Sequence, residues 1–146
     1  MHILFVCKGN ICRSSFAHRY LSSLALANIE VASCGYYPIA NRSCPNEAIT
    51  AANMIGVDLR VHRSVVITQK MVERADSIFT FDEENFETVT ETFASLKSKI
   101  TRLSSLNKNA PLEIIDPYCH NLDYFSTIYS QIKSLVDDFA VKYENH

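Results

Sequence analysis

Apolar and polar positions alternate along the chain in short blocks, and the first block carries the most information. His2 to Val6 is a continuous, mostly apolar run of strand length. It passes directly into the polar, glycine-containing stretch Cys7-Lys8-Gly9-Asn10-Ile11-Cys12-Arg13-Ser14. A helix is predicted next, capped by Ser14 or Ser15, with Phe16, Tyr20, Leu21 and Leu24 as an apolar stripe at helical spacing and Leu26 as its marginal end. Ile29 to Ser33 predicts a second strand, closed by the loop Cys34 to Ser43 with Gly35 and Pro38 as breakers. Pro45 and Gly56 bracket a second helix in the usual order, proline first and glycine last. Thr68 to Ala75 predicts a short helix and Asp76 to Phe81 a third strand; Asp82 caps a helix to about Leu96, and Lys99 to Leu103 predicts a fourth strand. Near the end, Phe125, Ile128, Tyr129, Ile132, Leu135, Val136, Phe139 and Tyr143 recur every three or four residues, which predicts a long amphipathic helix. Strands separated by helices predict an α/β fold, a parallel sheet with helices on both faces. Ligands of such sheets bind outside the carboxyl ends of the strands, where the Cys7 loop lies.

Length and composition limit what the loop serves. With 146 residues, 47% of them hydrophobic, a single domain over 1–146 is expected to bury its own core. No apolar run approaches the roughly 20 residues needed to cross a bilayer, and Met-His-Ile-Leu does not begin a signal peptide, so a cytoplasmic protein without membrane insertion is expected. Fourteen basic against sixteen acidic side chains leave a net charge of −2, which gives no broad attraction for nucleic acid; anion binding has to be local. The five cysteines, 7, 12, 34, 44 and 119, form an odd set without a C-x-x-C spacing, so reduced thiols are expected rather than a disulfide framework. Zinc on Cys7, Cys12, His2 and His18 is disfavoured because strand and helix directions scatter those side chains, and no cofactor is expected.

Between a strand and a helix N-terminus, unpaired backbone N–H groups and the helix dipole suit a phosphate. Gly9 permits close approach, and Asn10 tolerates the left-handed conformation that turns successive amides inward. Arg13 adds a planar fork for two phosphate oxygens, which Lys8, a flexible point charge, offers less well. The same field favours the thiolate of Cys7, a nucleophile. Six residues separate Cys7 from Arg13, so a loop closing on itself puts sulfur at the floor and guanidinium at the rim of one cradle. Ser14 can donate its hydroxyl to the sulfur. Taken singly, Cys7 reads as a small buried hydrophobe, Arg13 as a solvated helix residue and Gly9 as a turn; the combination outweighs these.

Expelling a phenolate, whose conjugate acid has a pKa of about 10, needs a proton donor. Asp116, between the apolar run of Leu112, Ile114 and Ile115 and the stiff Pro117, is the candidate, with Tyr118 as an aromatic wall. Apolar neighbours and a facing phosphate favour its protonated form. Asp82, Glu83 and Glu84 read as helix-start charges.

C-K-G-N-I-C-R-S near the start, S-C-G-Y after the second strand, H-R-S-V-V-I-T, F-D-E-E-N, and D-P-Y before the terminal helix together resemble the low-molecular-weight protein tyrosine phosphatases over nearly the whole chain. The resemblance implies a four-stranded parallel sheet with flanking helices, no metal, phosphotyrosyl proteins as substrates, a tyrosine kinase as one candidate partner, and inorganic phosphate as product. It makes Cys7 the nucleophile, Arg13 the clamp and Asp116 the general acid. Asn10 and Ser14 order the loop, and Lys8, Gly9, Ile11, Cys12 and Tyr118 complete the phosphate and substrate site. Cys12 matches a second loop cysteine able to form a reversible disulfide with the nucleophile; Cys34, Cys44 and Cys119 read as structural. The chain departs from the family in Ser15, where proline is usual, and in His18, where glutamate is usual. Val65 and Val66 stand where arginine is frequent, and Cys119 replaces a second tyrosine. The residue facing the substrate ring is open among Tyr36, Tyr37 and Ile39, and His62 reads as structural. Three other functions compete with this one. Thiol-linked arsenate reduction needs further redox cysteines that Asp82 to Leu106 lacks, and a phosphoarginine phosphatase resembles a loop with threonine where Ile11 stands. A catalytically impaired phosphotyrosine-binding or redox-sensing module is opposed by the intact Cys7, Arg13 and Asp116.

Overall fold

The computed structural model describes residues 1–145. Four strands, β1 (His2–Cys7), β2 (Glu30–Gly35), β3 (Ser77–Thr80) and β4 (Ile100–Arg102), form one parallel sheet in the order β2-β1-β3-β4. β1 is continuously apolar because it is central and covered on both faces. Ile3, Phe5 and Cys7 face one core cluster, while Leu4 and Val6 face the other, and none is more than 3% exposed. Each such side chain contributes about 1.5–3 kcal/mol of burial before chain entropy is set against it.

Five α-helices cover the sheet: α1 (Arg13–Ser23), α2 (Asn46–Asn53), α3 (Gln69–Arg74), α4 (Glu83–Thr92) and α5 (Leu122–Glu144). The predicted stripe of α5 buries Phe125, Ile128, Tyr129, Ile132, Leu135 and Val136, and the helix packs against α1 and α2. Phe16 and Tyr129 stack with centroids 4.1 Å apart, which locks α1 to α5. Among the described residues no helix is long and apolar enough to cross a membrane.

β2 runs on through Cys34 and Gly35, expected in the loop after it, because both pair with the end of β1, and three helix boundaries also differ from expectation. α1 begins at Arg13 with Cys12 in the N-cap position and no side-chain cap, so Ser14 and Ser15 are inside its first turn and not at its cap. Pro45 occupies the N-cap of α2, which ends at Asn53; Gly56, at φ 86°, closes the turn beyond it while Val57 N–H donates to Ala52 O (2.9 Å), the Schellman arrangement. The helix predicted from Asp82 to Leu96 breaks at Phe93 into α4 and a 3₁₀ segment, Ala94–Lys99. The threonines before the break bond back to their own helix, Thr90 to Phe86 O and Thr92 to Thr88 O (both 2.7 Å), a local competition that favours bends.

The order β2-β1-β3 means that the chain leaves β1 to one side and later returns on the other, which opens a crevice beyond the carboxyl end of β1. Cys7 is the last residue of that strand.

Candidate active site

The loop from Cys7 to Arg13 is held in shape mainly by Asn10. Its backbone is left-handed (φ 57°) and its side chain is fully buried. Asn10 Oδ1 accepts from Val65 N–H (2.9 Å), and Nδ2 donates to Ser14 Oγ (2.8 Å). His62 Nε2 lies 2.8 Å from Asn10 O; a carbonyl only accepts, so Nε2 carries the proton. Ser14 Oγ accepts from Asn10 and has two acceptors for its own proton, of which Cys7 Sγ at 3.0 Å is nearer than Cys34 O at 3.5 Å, and Asn10 N–H points at the same sulfur from 3.3 Å. Two donors therefore converge on Sγ, the arrangement that a thiolate acceptor needs.

Gly35 makes that loop possible. In the parallel ladder it is the Cα partner of Cys7, and a Cβ built on it would lie 2.5 Å from Lys8 O and 3.0 Å from Asn10 N. Both obstacles are backbone, so the loop would have to move. Gly35→Ala is expected to cost about 1–3 kcal/mol in urea unfolding and to weaken binding of inorganic phosphate. Unchanged stability and phosphate affinity would mean that the loop does not depend on this approach.

Arg13, only 2% exposed, is fixed by one edge of its fork. Nη1 donates to Asp82 Oδ2 (2.7 Å) and to Ile114 O (2.8 Å), and the guanidinium lies 5.7 Å from the Phe81 ring centroid. Burial acts to lower its pKa, but Cys7, Asp82 and Asp116 more than offset this, and the pKa stands above the ordinary arginine value. Nε is buried without a partner among the described residues, and Nη2 makes only a 3.7 Å approach to Asp116 Oδ2. The unused Nε and Nη2 edge is the one that can hold two oxygens of a tetrahedral anion.

Cys7, Ile11, Cys12, Tyr37, Asp116 and Tyr118 are among the residues lining a cleft of about 300 Å³. Asp116 is partly exposed, and its Oδ1 accepts from Tyr118 N–H at 3.0 Å, a local turn that orients the carboxyl. Of the three candidates for the ring-facing wall, Tyr37 lines the cleft. Tyr36 is instead engaged beneath α4, accepting from Asn85 Nδ2 at 3.0 Å with Glu84 Oε1 3.2 Å from its hydroxyl, while Ile39 is an exposed side chain outside the cleft lining. Lys8 and Gly9 line the cleft, yet the Lys8 ammonium approaches Glu84 at 3.6 Å. Cys12 is a free, buried thiol; burial, with Cys7 and Asp116 adding to it, pushes its pKa far up.

The two family departures in α1 have local explanations. Ser15 Oγ donates to Cys12 O (3.1 Å), satisfying a group of the loop with a hydroxyl, and Cys44 Sγ lies 3.7 Å from the same oxygen. His18 Nδ1 pairs with Ser33 Oγ (2.8 Å), and burial lowers its pKa to about 4, so it is neutral at pH 7. Two residues that the sequence placed only as a helix cap and as a core position of the terminal helix also support the site. Asp82 caps α4, accepting from Asn85 N–H at 2.8 Å, and pairs with Arg13 besides. Tyr129 donates its buried hydroxyl to Cys12 O (2.8 Å) from 117 residues away. Both bonds join segments far apart in the chain, and no local spacing encodes them.

Comparison with known proteins gives one fold, and relatives that carry the names of two activities. The family model described as "Low molecular weight phosphotyrosine protein phosphatase" matches residues 2–145. The chain is 31% identical over 133 residues to the probable low molecular weight protein-tyrosine-phosphatase AmsI of Erwinia amylovora, covering 90% of each chain. It is 24% identical over 143 residues to a protein-arginine-phosphatase of Bacillus subtilis (strain 168), covering 96% of this chain and 95% of that one. The solved structure of the YwlE arginine phosphatase from Geobacillus stearothermophilus superposes with a TM-score of 0.92 at 24% identity, covering 99% of this chain and 93% of the other.

Proposed function

The chain belongs to the low-molecular-weight phosphotyrosine protein phosphatase family, hydrolases of phosphotyrosine or phosphoarginine, and from this premise we propose that it hydrolyses phosphotyrosine in proteins as a single catalytic domain. The observation that carries the reading is the convergence of Ser14 Oγ and Asn10 N–H on Cys7 Sγ beside the unused edge of Arg13. The Cys7 thiolate attacks phosphorus, the bond to the tyrosyl oxygen breaks, and Asp116 gives its proton to the departing phenolate. The Asp116 carboxylate then takes a proton from water as that water attacks the phosphocysteine. Inorganic phosphate leaves, and the sulfur recovers its electron pair with the Ser14 hydroxyl and the Asn10 amide pointed at it. Arg13 Nε and Nη2 hold the oxygens on which charge is spread, with the loop amides from Lys8 to Cys12 completing the bed.

The apolar side chain of Ile11 and the rings of Tyr37 and Tyr118 line the cleft, which supports an aryl ester over a guanidino phosphate. Phosphorylated cytoplasmic proteins, a tyrosine kinase among them, are the substrates this reading favours. Cys12 lines the same cleft, which supports a second reading, that its thiol condenses with a Cys7 sulfenic acid, releasing water and forming a disulfide.

The test is a leaving-group series. With Asp116→Asn, phenyl phosphate is expected to turn over about 10²–10⁴-fold more slowly, while esters of acidic phenols lose far less, because only a poor leaving group needs the proton. Equal rates for wild type and variant on phenyl phosphate would remove Asp116 from the mechanism. Phosphoarginine turned over faster than phosphotyrosine would assign the other substrate.

A further inference from the structure

We propose that Arg42 is a specificity-determining residue that selects phosphopeptides bearing a carboxylate side chain beside the phosphorylated residue. This rests on the reading of the cleft as a phosphotyrosyl site. Arg42 stands in the loop after β2 and lines the same cleft as Asp116, and its fork has three contacts. Nη2 donates to Gly9 O (3.0 Å), Nε donates to Ile39 O (3.4 Å), and the guanidinium carbon lies 4.5 Å from the Tyr37 ring centroid. Those contacts use two of the five N–H donors, so both N–H groups of Nη1 and one of Nη2 remain.

The other cations at the cleft are partly neutralised: Arg13 by Asp82 and Asp116, Lys8 by Glu84. No carboxylate lies within 4 Å of the Arg42 guanidinium among the described residues. A charged, planar fork is therefore fixed in place before any ligand arrives, which lowers the entropy cost of pairing it with a carboxylate.

The backbone keeps this charge distinct from the phosphate bed. Gly9 C=O and Asn10 N–H belong to one trans peptide and point in opposite directions. The N–H is aimed at Cys7 Sγ and the C=O accepts from Arg42, so the width of one peptide group lies between the sulfur and the guanidinium. The phosphoryl group seated on Cys7 is left to Arg13 and the loop amides, and the free donors of Arg42 face what flanks the phosphorylated side chain. Arg42 also holds that peptide in place, a positioning duty that would affect every substrate alike.

Two phosphotyrosyl peptides of one length, flanked by Glu or by Gln, separate the two duties when kcat/KM is measured for both on the same preparation. Their ratio is independent of the fraction of enzyme that is folded. Wild type is expected to prefer the Glu peptide roughly fivefold at low ionic strength, with the preference shrinking as salt is added. In Arg42→Gln the ratio is expected to fall to about one, whatever common loss in rate follows from freeing Gly9, while Arg42→Lys keeps a salt-sensitive preference. A wild-type ratio of one, or a ratio unchanged in Arg42→Gln, overturns the proposal. Turnover of phosphoarginyl peptides with neither phosphotyrosyl peptide cleaved overturns the substrate reading beneath it.

Discussion

Cys7→Ser is expected to reduce steady-state turnover of aryl phosphates by on the order of 10⁵–10⁶-fold, the scale seen when a nucleophile is removed from a covalent mechanism. The substitution is nearly isosteric, and Asn10, Ser14 and His62 still hold the loop, so the bed for phosphate should persist. What is lost is the nucleophile. Two donors and a neighbouring guanidinium can stabilise negative charge on the attacking sulfur, but an alcohol binds its proton several orders of magnitude more tightly than a thiol and stays neutral in the same field. Removing the sulfur's charge also removes repulsion against a bound dianion, so inorganic phosphate should bind at least as tightly as to wild type. The variant should accordingly retain phosphorylated proteins long enough for capture and identification. Turnover above about 1% of wild type would assign the nucleophile to another group.

Arg13→Ala should show the next largest effect, a fall of about 10³–10⁴ in kcat/KM on phenyl phosphate, shared between a higher KM and a lower kcat. A single preorganised donor to a developing charge is worth about 10²–10³, and Arg13 offers two, Nε and Nη2, along one edge. The second consequence is structural. Asp82 and the Ile114 carbonyl lose the Nη1 donor that serves both, and leaving a buried acceptor unsatisfied costs about 1–3 kcal/mol. Unfolding in urea should therefore shift to lower concentration together with the loss of rate. Arg13→Lys separates the two: an ammonium can pair with Asp82, but it has no second edge for phosphate, so stability should recover further than activity. A loss in kcat/KM smaller than tenfold in Arg13→Ala would show that the free edge of the fork does not meet the reacting phosphoryl group.

β1 and β3 were legible because each carries a short apolar block bounded by polar residues, and β1 was plainest because both of its faces are covered. Where expectation and structure part, the cause is local backbone chemistry that period alone does not express. Ser14 has a cap's chemistry, yet its hydroxyl is used by Cys7 and Asn10, and the N-cap position falls two residues earlier, at Cys12, with no side-chain cap. The break at Phe93 follows threonine hydroxyls bonding back within α4. For Lys8 the sequence indicated a charge beside the phosphate bed; a glutamate that the fold brings to 3.6 Å engages it instead.

The sequence by itself determined the chemistry of the loop, because the seven residues from Cys7 to Arg13 are joined by the chain and their spacing leaves little freedom in how sulfur, amides and guanidinium meet. It also determined which face of each long helix is buried, since periodicity is a property of the chain alone. The tertiary structure decided everything that depends on residues brought together over long separations: Asp82 taking up one edge of Arg13, Tyr129 reaching Cys12, Tyr37 lining the cleft, and Gly35 leaving room for Lys8 and Asn10. The physical reason is that a hydrogen bond or a steric limit depends on distance in space, and distance along the chain predicts it only within a turn or a loop.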